Sequence, residues 1–356
     1  MRVKSNFYYT QLPGSQTREL YYEILRGIQA HRNTARIQTA NLTQDEVRQV
    51  LYAVEYDYPE FFYVRFFGEG CSTVRYGNGD LEIQFRYRFS SEEQKKKIAE
   101  NQRFVQYILS HLPETAGQSS FTSALWLHDT LIRNIRYDNR AGEAGSDDSP
   151  DAYTILGGAS SKTAVCAGIS KLYQMLCEYV GIWCIYVSGK SRKDQKEGME
   201  SDGGRHAWNM IRIGRQYAYV DVTWDLQEDE REMPLSHAYF GMSDEQCTRR
   251  HIVEPRYPGI RFPKCQENNT LNYYIRKKSF IRSVRQLEQY IRKILQEKER
   301  KFSFQIDPGS IEHKILRSRI EAWMERYLTQ EAKEVSGWSW RCNETMMVFD
   351  YVLRYK

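Results

Sequence analysis

Seven cysteines are spread along the chain, at Cys71, Cys166, Cys177, Cys184, Cys247, Cys265 and Cys342. The count is odd and no pair has CxxC spacing, so the set reads neither as a disulfide framework nor as a zinc site. Cys177 and Cys184 fall in apolar-periodic segments and read as small buried hydrophobes. Cys71, Cys247, Cys265 and Cys342 fall in connections or near strand ends. Cys166 alone has a physical reason to react, because it stands in the first turn of a predicted helix. A helix N-terminus carries about half a positive charge and unpaired N–H groups, which favour a thiolate. The same N–H groups can hold the oxyanion of a tetrahedral intermediate. Gly168, Ala164 and Ala167 leave room around the sulfur.

A thiol nucleophile needs a base, and the base an orienting acid. His206 begins a predicted strand directly after Gly203-Gly204, and Asp221 lies on the next predicted strand. A two-residue hairpin turn at Gly214-Arg215 sets His206 opposite Thr223 and Trp208 opposite Asp221. His206 and Asp221 then share one face as diagonal neighbours, roughly 7–8 Å apart at Cα and within side-chain reach. A three-residue turn would send Asp221 to the wrong face, so the inference hangs on the turn. Trp208 falls on the same face. Trp208 and Trp224 either keep water from the site or are plain core. Of the other histidines, His31, His111, His128 and His313 fall in helical stretches and His237 and His251 in connections. None of these six is assigned chemistry.

The elements that must position these groups follow from periodicity. Ala164 to Val180 has helical spacing (Val165, Ile169, Leu172, Tyr173, Leu176), and Gly181 sits where a C-terminal cap belongs. Ile182–Ser188, His206–Ile213 and Gln216–Trp224 read as strands, with Lys190–Arg205 a mobile loop. Upstream, Thr43-Gln44-Asp45-Glu46 is a capping box before a helix that Tyr58-Pro59 stops. Phe61–Phe67 and Leu81–Phe89 read as strands around an Asn78-Gly79 turn, Ser90 caps a helix ending before Pro113, and Ser120–Tyr137 reads as a helix. The Asp138–Asp151 loop carries Asp147, Asp148 and Asp151, whose spacing matches no calcium-loop pattern. Beyond Pro263 the chain turns basic between Leu271 and Lys301, which reads as a solvated helix face. Ser283 caps its helix, and Phe302–Ile306, Ile311–Leu328 and Thr345–Tyr355 read as strand, helix and strand.

The 356 residues suggest two or three domains at roughly 150 residues each. The expected division is an α+β region over 1–115, a catalytic core over 116–262 and a small basic α/β unit over 263–356. With 27% charged and 41% hydrophobic residues, a disordered or fibrous class is excluded. A net charge of +5, from 51 basic and 46 acidic residues, is too balanced to imply nucleic acid. No run approaches the roughly 20 apolar residues that span a bilayer. Met1–Thr10 has no apolar signal core, so a cytoplasmic, reducing compartment is expected, a trimmed secreted product being the other reading. No cofactor, metal, nucleic acid or membrane partner is expected.

Three stretches carry a resemblance: Val165-Cys166-Ala167-Gly168, His206-Ala207-Trp208-Asn209 and Tyr219-Val220-Asp221-Val222-Thr223-Trp224-Asp225. Together they resemble the transglutaminase-like superfamily, most strongly over about residues 120 to 250. Tyr56 to Tyr63 is similar to a segment preceding the core in bacterial members, which points to a bacterial origin. The resemblance implies a papain-like α+β core, in which a helix presents Cys166 as nucleophile to a sheet carrying His206 as general base and acid and Asp221 as orienting acid. It implies acyl transfer or hydrolysis on a peptide or glutamine carboxamide through a thioester, with a protein or peptide as substrate. Thr163-Ala164 and Ile169-Ser170 depart from residues that members often carry beside the cysteine, which bears on substrate choice. Tyr153, just before the cysteine helix, is the candidate second oxyanion donor. The competing reading is an inert member of the fold that binds protein partners.

Overall fold

The computed structural model describes residues 3–144, 150–192, 202–226, 232–266, 270–307 and 313–356. At its centre is an antiparallel sheet of five strands, in the order Phe240–Met242, Gln216–Val220, Asp202–Ile213, Trp183–Arg192 and His251–Val253. The helix Cys166–Tyr179 packs on its two longest strands. Nearly every residue of this helix is buried, the polar ones included, as expected of a helix enclosed on all sides. The helix Ser120–Asn134 and the segment around Pro59–Phe61 cover its other faces. Burying side chains such as Leu172 and Leu176 completely contributes roughly 1.5–3 kcal/mol each.

Polar residues set the register between helix and sheet. Ser170 Oγ donates to the Ala207 carbonyl at 3.0 Å, and Asn209 Nδ2 donates to the Ser170 carbonyl at 2.9 Å and to Ile185 at 3.1 Å. These bonds pin the helix beside the strand that carries His206. At the far end Gly181, with φ of 78°, ends the helix in the left-handed conformation expected of a glycine cap.

Amino-terminal to this core lies a small sheet in which Leu81–Tyr87 pairs with Thr34–Ile37, Val64–Arg65 and Cys71–Arg75. The capping box predicted at Thr43 forms with Glu46, and the cap at Ser90 is a full box with Glu93; at Ser283 only half forms, since its hydroxyl accepts the Gln286 N–H while Gln286 Oε1 accepts from the Arg282 N–H. The predicted Phe61–Phe67 strand is mostly something else: Pro59–Phe61 is a single 3-10 turn and only Val64–Arg65 pairs. Aromatic side chains there pack into the core without needing an extended backbone. The carboxyl-terminal region holds a further four-stranded sheet, in the order Phe280–Ile281, Lys301–Ile306, Val348–Tyr355 and Val335–Asn343, with helices Val284–Gln296 and His313–Gln330. It has its own hydrophobic cluster. Its strand Val335–Asn343 was missed, because alternating Ser, Gly, Trp and Arg there give no clean apolar face.

Two boundaries near the site differ from expectation. The loop predicted over Lys190–Arg205 is shorter, since paired strand runs to Arg192 and resumes at Asp202; residues 193–201 lie outside the described residues. The helix predicted to Tyr137 stops at Asn134, and Arg136–Tyr137 forms a short parallel pair with Thr163–Ala164. This pairing places Tyr137 next to the start of the cysteine helix. Among the described residues, no helix is long and apolar enough to cross a membrane.

Candidate active site

Cys166 is the first residue of its helix, and the N-cap Val165 has no side chain able to accept a hydrogen bond from the first turn. The first-turn N–H groups are therefore left uncapped at the sulfur. Gly168 is required there, because a Cβ would lie 2.3 Å from the Ala152 carbonyl oxygen and 2.8 Å from that of Thr154. The segment before the helix is thus pressed against its first turn, and Val165 N–H bonds the Ala152 carbonyl at 3.1 Å.

The hairpin register is the expected one, with Ile213 opposite Gln216 and Asn209 opposite Val220 around Gly214-Arg215. His206 Nε2 donates to Asp221 Oδ2 at 2.6 Å. The Cys166 thiol lies within side-chain reach of His206. With Nε2 engaged, Nδ1 is the nitrogen available to sulfur. Burial opposes charge on His206, yet the Asp221 carboxylate and Cys166 outweigh it and push the imidazole up to about 10. Asp221 is fully buried, which alone would raise it, but His206 and His251 hold it well below the usual carboxylate range. Its other oxygen accepts the Trp224 N–H at 3.2 Å.

The structure adds groups that the sequence did not single out. His251, on the edge strand beyond Trp183–Arg192, also donates from Nε2 to Asp221 Oδ2, at 2.9 Å. Its Nδ1 faces the Cys247 carbonyl at 3.1 Å. Serving both acceptors needs a doubly protonated ring, which burial and the neighbouring His206 oppose, pushing His251 down. We assign its single proton to Nε2, toward the charged acceptor. Tyr137 also reaches the Cys166 thiol with its hydroxyl. Neither residue carried a sequence signal: His251 comes from a two-strand separation in the sheet, and Tyr137 looked like the end of a helix.

The expected secondary residues fall differently. Tyr153 lies beside the cysteine, but its hydroxyl donates to the Ala141 carbonyl at 3.1 Å. Trp208 is 0% exposed and stacks on His206 at 5.8 Å and against His251 at 4.5 Å, so it is the floor of the site. Half-buried Trp224 covers His206 from the open side, with rings 4.6 Å apart and 13° from parallel. Of the acidic loop, Asp151 pairs with Arg88 at 2.5 Å and Lys97 at 3.5 Å; Asp147 and Asp148 lie outside the described residues.

A cysteine at a helix N-terminus, packed on an antiparallel sheet that carries a hydrogen-bonded histidine and aspartate, defines a papain-like α+β core. Residues 111–222 match the description of the transglutaminase-like superfamily. Over 115 residues it is 25% identical to kyphoscoliosis peptidase of Mus musculus, a match covering 32% of this chain and 17% of that protein. A solved TGase shares 11% identity, with 70% of this chain and 59% of that chain covered at a TM-score of 0.31. A candidate cysteine protease from Cytophaga hutchinsonii shares 13% identity over 43% of this chain and 61% of that one, at a TM-score of 0.24. This chain therefore spans less than two thirds of the length of each of these proteins.

Proposed function

We propose that this protein is a cysteine-dependent acyltransferase or hydrolase acting on a peptide or glutamine carboxamide. The observation that carries the reading is His206, held by Asp221 on one nitrogen and within reach of the Cys166 thiol with the other. The Cys166 sulfur attacks the carbonyl carbon, and the carbonyl oxygen becomes an oxyanion facing the first-turn N–H groups. His206 gives its proton to the departing amine as the C–N bond breaks, leaving a thioester on Cys166. Water or an incoming amine then adds to the thioester and yields a proton to His206, and the C–S bond breaks to release acid or amide. Asp221 keeps the imidazole oriented and its charged form stable throughout. Tyr137 is the better-placed hydroxyl for the sulfur and the oxyanion, since Tyr153 is engaged with Ala141.

The test compares incorporation of an amine probe with hydrolysis of peptide pools in a lysate, using wild type and Cys166→Ala. Probe incorporation or new peptide termini that vanish in Cys166→Ala support the reading. Equal signals from both proteins, together with iodoacetamide labelling no faster at Cys166 than at the other cysteines, overturn it.

A further inference from the structure

Joined to Asp225, the residue after Trp224, and not used in the chemistry above, is a second cluster of histidines and acids, largely buried. His128 and Asp129 lie on the helix Ser120–Asn134, and His237 precedes the strand Phe240–Met242. One ligand atom from each of the three lies within 4.8 Å of the others. Asp129 Oδ1 stands 3.2 Å from His128 Nδ1 and 2.8 Å from His237 Nε2. We propose that His128, Asp129 and His237 bind one divalent cation of the zinc class.

The three ligand atoms lie 3.2 and 2.8 Å apart about the shared oxygen, against an edge of roughly 3.3 Å for a tetrahedral ion with bonds of about 2.0–2.1 Å, so a small outward shift of Asp129 seats an ion among them. Imidazole with carboxylate selects zinc and its transition-metal neighbours over calcium or magnesium. The surroundings supply the outer partner that a metal-bound imidazole uses. His128 Nε2 donates to Asp225 Oδ2 at 3.2 Å, and that oxygen also accepts the Tyr239 N–H at 3.0 Å. Ser236 Oγ donates to the other Asp225 oxygen. A carboxylate behind a ligating histidine fixes its tautomer and raises its basicity. Tyr273 stacks on His237 at 3.9 Å and 8°, holding the ring edge-on to Asp129. His237 is 6% exposed and its Nδ1 has no partner, so Nε2 is its one engaged nitrogen and points at the proposed ion. The Asp129 side chain keeps 18% of its surface open, with Arg133 4.0 Å from its other oxygen, so the cluster opens to solvent on that side. An ion here ties the helix Ser120–Asn134 to His237, just before the strand Phe240–Met242. It acts as a brace beside the site and takes no part in acyl transfer.

The full chain, stripped with a chelator, is titrated with Zn2+ by calorimetry, and in parallel with Co2+ as a visible probe. The expected result is about one ion per chain, with a melting temperature that rises on Zn2+ addition by mass action. The Co2+ complex should show four-coordinate bands without a thiolate charge-transfer band. Asp129→Asn and His237→Gln should each lose the ion, while His251→Ala, which breaks the other histidine–aspartate cluster, should keep it. Asp129 sits at the open edge, so Asp129→Asn retains the fold if His237→Gln does not. Failure to bind, binding that persists in Asp129→Asn, or loss of the ion in His251→Ala would each overturn the assignment.

Discussion

Replacing Asp221 by Asn isolates the electrostatic part of the site. Asn has the same shape but one acceptor oxygen, while Asp221 receives His206 and His251 on one oxygen and the Trp224 N–H on the other. It must therefore present an NH2 group either to Trp224 or to the two imidazoles, and in both cases the negative charge is lost. In the native protein His206 stays an imidazolium until the pH rises through about 10. Without the carboxylate Cys166 alone opposes burial, and burial drives a histidine down from its ordinary value, so the imidazolium is lost at a lower pH. Alkylation of Cys166 by iodoacetamide at pH 7 is thus expected to slow by roughly tenfold or more, since the imidazolium that stabilises a neighbouring thiolate is lost. The deficit should shrink at high pH, where any thiol ionises. The assay is the rate of adduct formation at Cys166 by mass spectrometry, from pH 5 to 10, on protein whose fold is checked by near-UV circular dichroism. Folded Asp221→Asn that labels Cys166 within about threefold of wild type, a difference under about 0.7 kcal/mol, would refute the reasoning.

Three further outcomes follow from the same geometry. Tyr137→Phe removes the hydroxyl nearest the sulfur and should slow alkylation about tenfold or more, at roughly 1.5–3 kcal/mol for a bond to a charged group, whereas Tyr153→Phe should change it little; the reverse order would reassign the pair. Gly168→Ala forces a methyl to 2.3 Å from the Ala152 carbonyl oxygen and should destabilise the fold by about 1–3 kcal/mol, read as a lower melting temperature; an unchanged value would mean the Ala152–Thr154 segment yields freely. Asp57 is buried and pushed up to about 7, burial outweighing its bonds from the Tyr9 and Tyr8 N–H groups and Tyr21. Its folded value lies above its unfolded one, so stability from this group is present at low pH and lost as pH rises from about 4 through 7, up to about 4 kcal/mol. Chemical denaturation of Asp57→Asn should lack that slope, and a slope equal to wild type would rule Asp57 out as its source.

What was legible in the residues themselves was whatever depends on short-range rules. Helix caps, the apolar period of the cysteine helix and the two-residue turn at Gly214-Arg215 are local, and a side-chain period of two carries the turn geometry directly into which face His206 and Asp221 share. Ser90, Thr43 and Gly181 ended or began helices as their types require. The aromatic run from Phe61 failed as a strand because ring burial constrains side chains and leaves the backbone free to turn.

The residues that complete the site are set by contacts between distant segments, which no local period encodes. His251 reaches Asp221 only because its strand pairs with Ser191, Lys190 and Gly189, and Gly189 in turn lies opposite His206. Tyr137 meets Cys166 only because Arg136–Tyr137 leaves its helix to pair with Thr163–Ala164. His128 and Asp129 read as an ordinary stretch of helix, and only the fold brings His237, just before the strand Phe240–Met242, to them. By itself, the sequence determined which cysteine stands at a helix start and that a histidine and an aspartate share one face of a hairpin. Only the tertiary structure decided what surrounds them, because the shared carboxylate of Asp221, the hydroxyl beside the sulfur and the second histidine cluster each join chain segments that meet only when the sheet and its helices have packed.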